Sequence, residues 1–259
     1  MDLERDPAVL RARLPHADAS ERAFLDSVNR IGFSRMRADA SAERAEREAL
    51  REELRMAALR AHAPLRSRIA AGALRGAELR SILLDLPLAD RDHVVEEILG
   101  VAYPPLEEPA REAELVPYQP SSLDEILHAC DESGLARADR FLDIGSGTGK
   151  VTLLAHLLTG AAAIGIERDP ALHAVADEAA RALHLPTTQL CADARDHLVP
   201  CEVVFMFLPF TGLVLEAVMD RLNELRPRCL CASAIDLTRR AELVEVAQAQ
   251  SWLHIYRWR

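Results

Sequence analysis

Lysine is nearly missing from this chain of 259 residues: of 31 basic side chains, Lys150 alone is lysine and the rest are arginine. With Ala and Leu so abundant, this bias reads as the codon usage of a GC-rich, bacterial genome. Nor is there an excess of positive charge. A net charge of −10 argues against a nucleic-acid backbone as the main partner. The five cysteines, Cys130, Cys191, Cys201, Cys229 and Cys231, form no C-x-x-C pair and have no histidine partners at zinc-finger spacing. Neither a disulfide framework nor a metal site is therefore expected, and the thiols read as buried in a reducing compartment. No apolar run approaches the length of a membrane span, and the start, Met1-Asp-Leu-Glu-Arg-Asp-Pro7, has no basic segment followed by an apolar one. A cytoplasmic protein with no membrane partner is the expectation.

The length suits one catalytic domain with a smaller accessory one. Residues 1–102 are rich in Ala, Arg, Glu and Leu and read as an all-helical domain. Ser41 can cap a helix reaching Ala61, with Leu50, Leu54, Ala57, Ala58 and Ala61 along one face. Glu78 to Leu84 forms a short helix, and Asp90 can cap another that Gly100 ends. His62 and His93 stand isolated in the sequence and read as surface residues. A connector spans 103–120, with prolines at 104, 105, 109, 117 and 120 and glutamates at 107, 108, 112 and 114.

From 121 to 259 strands and helices alternate, as in a parallel sheet. Predicted strands are Phe141 to Ile144, Ala163 to Glu167, Thr188 to Cys191, Val203 to Phe207, Cys229 to Ser233 and Trp252 to Trp258. Predicted helices are Ser122 to Ser133, Thr148 to Leu158, Pro170 to Leu183, Leu213 to Leu225 and Arg239 to Gln250.

The chemistry concentrates at Phe141-Leu-Asp-Ile-Gly-Ser-Gly-Thr-Gly-Lys150, a buried strand that runs into a carboxylate and three close glycines. A phosphate-binding loop of the form G-x-x-x-x-G-K-S/T would need glycine where Ile144 stands and a hydroxyl where Val151 stands. A dinucleotide site would want G-x-G-x-x-G, but Lys150 takes the third place. Asp143, two residues before the first glycine, would also repel a pyrophosphate. A ligand with a cationic end and no phosphate fits better.

The segment resembles motif I of the class I S-adenosylmethionine-dependent methyltransferases, and the resemblance continues in order. Glu167 ends the second strand 22 residues after Gly145, Asp193 and Ala194 follow the third, and Leu208-Pro209-Phe210 follow Phe207 at the end of the fourth. What the resemblance implies is an α/β, Rossmann-like, doubly wound and mostly parallel sheet behind an N-terminal helical domain, with S-adenosylmethionine as cofactor. Gly145, Ser146, Gly147 and Gly149 would pack on its methionine part, Asp143 would hold the amino end, and Glu167, with Arg168 beside it, would take the ribose hydroxyls. Asp193 and Ala194 would meet the adenine. Taken singly, Glu167 and Asp193 read equally well as helix caps.

The resemblance places the acceptor at Phe207, Leu208, Pro209 and Phe210. This run lacks the Asn or Asp found where amide or nucleobase amines are methylated, so nucleobase amino groups are not expected as acceptors. Val116-Pro-Tyr-Gln-Pro-Ser-Ser122 is similar to a cofactor-covering loop of the non-SET lysine methyltransferases, which would make Tyr118, Ser121 and Ser122 lid residues with Tyr118 also near the chemistry. A proline-bounded turn with a serine cap reads as well. A protein amine is preferred as acceptor over a small metabolite, and a noncatalytic cofactor-binding module stands as the other class. The helical part would cover the acceptor or join a homodimer. The family usually closes its sheet with a two-strand hairpin, so one strand is unaccounted for, either through a shortened sheet or through a strand near Ala234 to Leu237.

Overall fold

The computed structural model describes residues 5–36, 40–106, 112–249 and 252–259. Connector residues 107–111, with Glu107, Glu108 and Pro109, lie outside them.

The N-terminal part is helical throughout: α1 (Pro7–Arg13), a 3-10 turn (Leu14–His16), α2 (Ala19–Ser34), α3 (Ser41–Ala61), α4 (Ala63–Ala70), α5 (Gly76–Leu84) and α6 (Arg91–Leu99). The Asp6 and Asp18 side chains cap α1 and α2 by accepting from Ala8 N–H and Glu21 N–H, both at 2.9 Å. Two expected caps are not made. Ala40 precedes α3, so Ser41 lies inside the helix; the Asp90 carboxylate instead takes a hydrogen bond from the Ser20 hydroxyl. Gly100 ends α6 in the left-handed conformation, as its position suggested. The buried face of α3 is Arg47, Leu50, Leu54 and Ala58, while Ala61 is exposed. Those three apolar residues pack with Leu10, Leu25, Ala102 and Tyr103 in one small core.

His62 and His93 are not isolated. Both hydrogen-bond the fully buried carboxylate of Glu97, His62 Nε2 at 2.9 Å and His93 Nε2 at 3.2 Å. Arg22 donates to the same carboxylate from Nε at 2.6 Å and from Nη2 at 2.5 Å, and the Tyr103 hydroxyl donates at 2.7 Å. The cluster was hidden in sequence because only His93 shares α6 with Glu97, while Arg22 lies on α2, His62 between α3 and α4, and Tyr103 in the connector.

Beyond the connector, a seven-stranded sheet forms among the described residues: β1 (Arg140–Ile144), β2 (Ala162–Glu167), β3 (Thr188–Cys191), β4 (Val203–Phe207), β5 (Cys229–Ser233), β6 (Leu243–Ala249) and β7 (Leu253–Trp258), in the order β3-β2-β1-β4-β5-β7-β6. The first five run parallel; β7 inserts antiparallel beside β5 and pairs antiparallel with β6. The terminal hairpin is therefore complete. The predicted helix from Arg239 is instead the edge strand β6, and neither a shortened sheet nor a strand at 234–237 is found. Leu, Ala, Glu and Gln favour helix here, and a bulge between Glu245 and Ala247 breaks the alternation that would have marked a strand.

Both faces of the sheet are covered. Phe141 on one face packs with α7 (Leu123–Ser133), α8 (Lys150–Thr159) and α9 (Pro170–Ala182); Leu142 and Ile144 on the other pack with α10 (Ala194–His197) and α11 (Gly212–Leu225). Ile69, Leu79, Leu83, Val94 and Ile98 of α4, α5 and α6 join the first of these cores. Helical region and sheet thus share apolar packing along α7 and α8. Among the described residues, no helix is long and apolar enough to cross a membrane.

Candidate active site

In an open parallel sheet the strand ends at the carboxyl edge diverge and leave a crevice. Here the ends of β1, β2, β3 and β4 open onto a cavity of about 390 Å³, also lined by Glu112, residues 115–120 of the connector and Ser121. Of the residues singled out in sequence, Tyr118, Ser121, Asp143, Gly145, Ser146, Glu167, Arg168, Asp193, Ala194 and the run Phe207 to Phe210 all lie in its wall.

The glycine loop bends back on β2. Gly145 N–H and Ser146 N–H both donate to Ile166 O, at 2.9 and 3.0 Å, and Gly147 N–H donates to Glu167 Oε2 at 2.8 Å. The other Glu167 oxygen accepts from Asp169 N–H at 2.7 Å. Gly145 and Pro209 meet in the cavity wall with no room for a side chain between them: a β-carbon on Gly145 would fall 2.5 Å from Pro209 Cβ, with φ at +75°. Asp143, only 2 % exposed, accepts from the Thr152 hydroxyl at 2.8 Å. Burial pushes its carboxyl up to about 7, against the Thr152 bond, and the neighbouring Glu167 charge pushes it further. Burial raises Glu167 as well. The Ser146 hydroxyl is buried without a partner.

Ser122, Gly147 and Gly149 do not reach the wall. Ser122 makes a full capping box with Glu125 at the start of α7, while Ser121 beside it lines the cavity. Gly147 lies beneath the Tyr118 ring, and Gly149 abuts Ala176 on α9. These two glycines shape the loop and its lid.

After β3, Asp193 caps α10, accepting from Arg195 N–H at 2.9 Å. Arg195 also forks onto both its oxygens, at 3.0 and 2.7 Å, and this bond holds the carboxylate below its usual range. Asp193 is thus a helix cap in the cavity wall. Glu112 links Arg168 and Arg195, at 2.7 and 3.2 Å, across the mouth.

The connector is stitched to the segment after β4. Leu115 bridges Phe210, Val116 N–H donates to Pro209 O at 3.1 Å, and Thr211 N–H donates to Glu114 O at 2.8 Å. The Glu114 carboxylate then receives Leu213 N–H and Val214 N–H, finishing the first turn of α11. Leu208 sits at φ +31° and Ala234 at +56°, both in the wall and both in a region that residues with a side chain seldom occupy. Sequence reasoning missed Glu112 and Lys150 as parts of this site; the solitary lysine was the available signal for the second.

The strand order, with β7 alone inserted antiparallel beside β5, is that of the class I methyltransferase fold. No protein-family model and no curated protein sequence matches the chain. Among solved structures it is similar to an RNA methyltransferase from Salinibacter ruber in complex with S-adenosyl-L-homocysteine, at 21 % identity and a TM-score of 0.43, over 54 % of this chain and 92 % of that one. It is also similar to the ribosomal protein L11 methylase of Lactobacillus delbrueckii subsp. bulgaricus, at 12 % identity and a TM-score of 0.43, over 52 % and 77 %.

Proposed function

We propose that this protein is an S-adenosylmethionine-dependent methyltransferase whose acceptor is an amine on a protein, lysine in particular, rather than a small metabolite. One observation carries the cofactor reading: a carboxyl 2 % exposed, Asp143, lies under a glycine loop at the carboxyl edge of the sheet, in a cavity shared with a second raised carboxyl, Glu167. Such a pair disfavours a diphosphate and suits a cationic ammonium and a sulfonium. The partnerless Ser146 hydroxyl and the bare main chain at Gly145 fit the same group.

Asp143 and Glu167 would hold the amino end and the ribose hydroxyls, and Ala194, with the cap at Asp193, would border the base. The bound cofactor supplies a methyl group already activated on a positively charged leaving group. What remains for the chain is to align the acceptor and exclude water. Phe207, Leu208, Pro209, Phe210 and Tyr118 supply an apolar wall for that, and Leu115 and Val116 extend it. Among the described residues, no histidine lines the cavity. An apolar wall itself favours the uncharged, nucleophilic form of an amine.

Incubation with radiolabelled S-adenosylmethionine and a cell lysate tests this. Label on a protein band supports the proposal. Label on a small molecule would move the acceptor class, and cofactor binding without any transfer would leave a binding module. Calorimetric uptake of ATP or NADH with S-adenosylhomocysteine ignored would end the cofactor reading.

A further inference from the structure

Lys150 is the single lysine of the chain, and it is 3 % exposed at the first position of α8, immediately after Gly149. A cation at a helix N-terminus opposes the positive end of the helix dipole, so the stability of α8 does not call for it. Its ammonium reaches outward to α6, with Nζ 2.9 Å from Asp92 Oδ1 and 2.8 Å from Glu96 Oε1. These carboxylates are four residues apart and so lie on one face of α6. A chain that uses arginine for every other basic side chain places here a compact tetrahedral donor instead of a planar fork.

The same Asp92 oxygen accepts Leu123 N–H at 2.6 Å. Leu123 opens α7, directly after the cap Ser122 and two residues after Ser121, which lines the cavity. One carboxylate on α6 therefore ties together the far end of the glycine loop and the far end of the lid segment. Asp143, meanwhile, takes its hydrogen bond from Thr152, and the Lys150 ammonium goes to α6.

We infer that Lys150 is a positioning residue for the cofactor loop, and that through Asp92 and Glu96 helix α6 acts as a structural partner of the cofactor site, so that cofactor binding and the order of α6 are linked. This rests on the cofactor reading above. Linkage is reciprocal: what tightens α6 against Lys150 tightens cofactor binding, and bound cofactor steadies α6.

Calorimetry with S-adenosylhomocysteine, paired with urea unfolding, tests the inference on the wild type, Lys150→Met, Glu96→Gln and the triple variant Asp92→Asn, Glu96→Gln, Lys150→Met. Lys150→Met leaves two carboxylates without their cation and is expected to weaken both stability and affinity, affinity by about tenfold. Glu96→Gln keeps the Asp92 pair and the fold, and is expected to weaken affinity by about threefold. The triple variant removes the uncompensated charge and is expected to recover the unfolding midpoint while affinity stays low. Hydrogen exchange should show amides of Arg91–Leu99 protected by ligand in the wild type and not in the triple variant. A triple variant that binds as the wild type does, or ligand protection of α6 that survives in it, overturns the inference alone. A wild type that ignores S-adenosylhomocysteine removes the cofactor reading and this inference with it.

Discussion

The ring of Tyr118 occupies the space that a side chain on Gly147 would need: a β-carbon there would fall 2.2 Å from Cε2, and the Tyr118 hydroxyl shares a 2.8 Å hydrogen bond with the buried Thr148 Oγ1. Lid and glycine loop thus fit only because position 147 is bare. Gly147→Ala combines this collision with φ at +54°, so the lid must lift. Affinity for S-adenosylhomocysteine is expected to fall by roughly ten- to a hundredfold, read by calorimetry. Gly134→Ala is the control, because it has similar φ but nothing within 4 Å, and it is expected to lower stability while leaving affinity unchanged.

Tyr118→Phe keeps the ring and removes one hydrogen bond, leaving the Thr148 hydroxyl buried with one partner fewer. The expected cost is about 1 kcal/mol, or roughly fivefold in affinity, with the fold intact. Unchanged affinity and turnover would remove the hydroxyl from the lid's function.

Glu167→Ala removes the acceptor of Gly147 N–H and Asp169 N–H together with the proposed ribose contact. S-adenosylhomocysteine binding is expected to weaken by about 1.5 to 3 kcal/mol, and thermal unfolding of the free protein should shift down in the same variant. Calorimetry and a thermal scan separate the two effects. Full affinity with a lowered midpoint would make Glu167 a loop anchor only.

The Asp143 carboxyl sits at about 7 in the fold, above its ordinary value of 3.8. Between those values the unfolded chain has released this proton while the folded chain keeps it. Stability of the free protein is therefore expected to fall as pH rises through the window, with the full penalty present above about 7. Urea unfolding at several pH values should show the slope, and Asp143→Asn should flatten it; a remainder is expected from Glu167, which is raised in the same direction. A cationic ligand end would draw the proton off. Calorimetry near neutral pH in two buffers of different ionisation enthalpy should then report proton release for the wild type and less for Asp143→Asn.

Glu97 behaves oppositely. Burial pushes its carboxyl up, but the bonds from Arg22, His62, His93 and Tyr103 outweigh that and hold it below its ordinary value of 4.5. Its contribution is present above that pH and is lost on acidification. Glu97→Gln strands the buried Arg22 cation and is expected to cost about 3 to 5 kcal/mol in urea unfolding.

Most of the parallel part of the sheet was legible in sequence because its strands are short and mostly apolar runs between turn and helix signals, and Asp143, Glu167, Asp193 and Phe207, at or just beyond four strand ends, are brought by the fold to one cavity. The last hairpin was not. Leu243–Ala249 mixes helix-favouring Leu, Glu, Gln and Ala with Val244 and Val246, and owes its conformation to β7, a partner that local propensity cannot register. The Glu97 cluster was hidden for a related reason: His93 is four residues from that carboxylate, but Arg22 is 75 residues away and His62 is 35 away along the chain. Ser122 and Asp193 show a limit of another kind. A short polar residue before a helix is read equally well as cap or ligand contact, and only packing reveals that one is a cap behind the wall while the other is a cap within it.

Glu114 finishes the first turn of α11 from 100 residues upstream. During synthesis that carboxylate leaves the ribosome long before the amides it will receive, so the opening turn of α11 cannot be completed by its own neighbourhood. The start of α11 therefore depends on a carboxylate held far away along the chain, and a protease cut between residue 114 and the sheet is expected to loosen that helix.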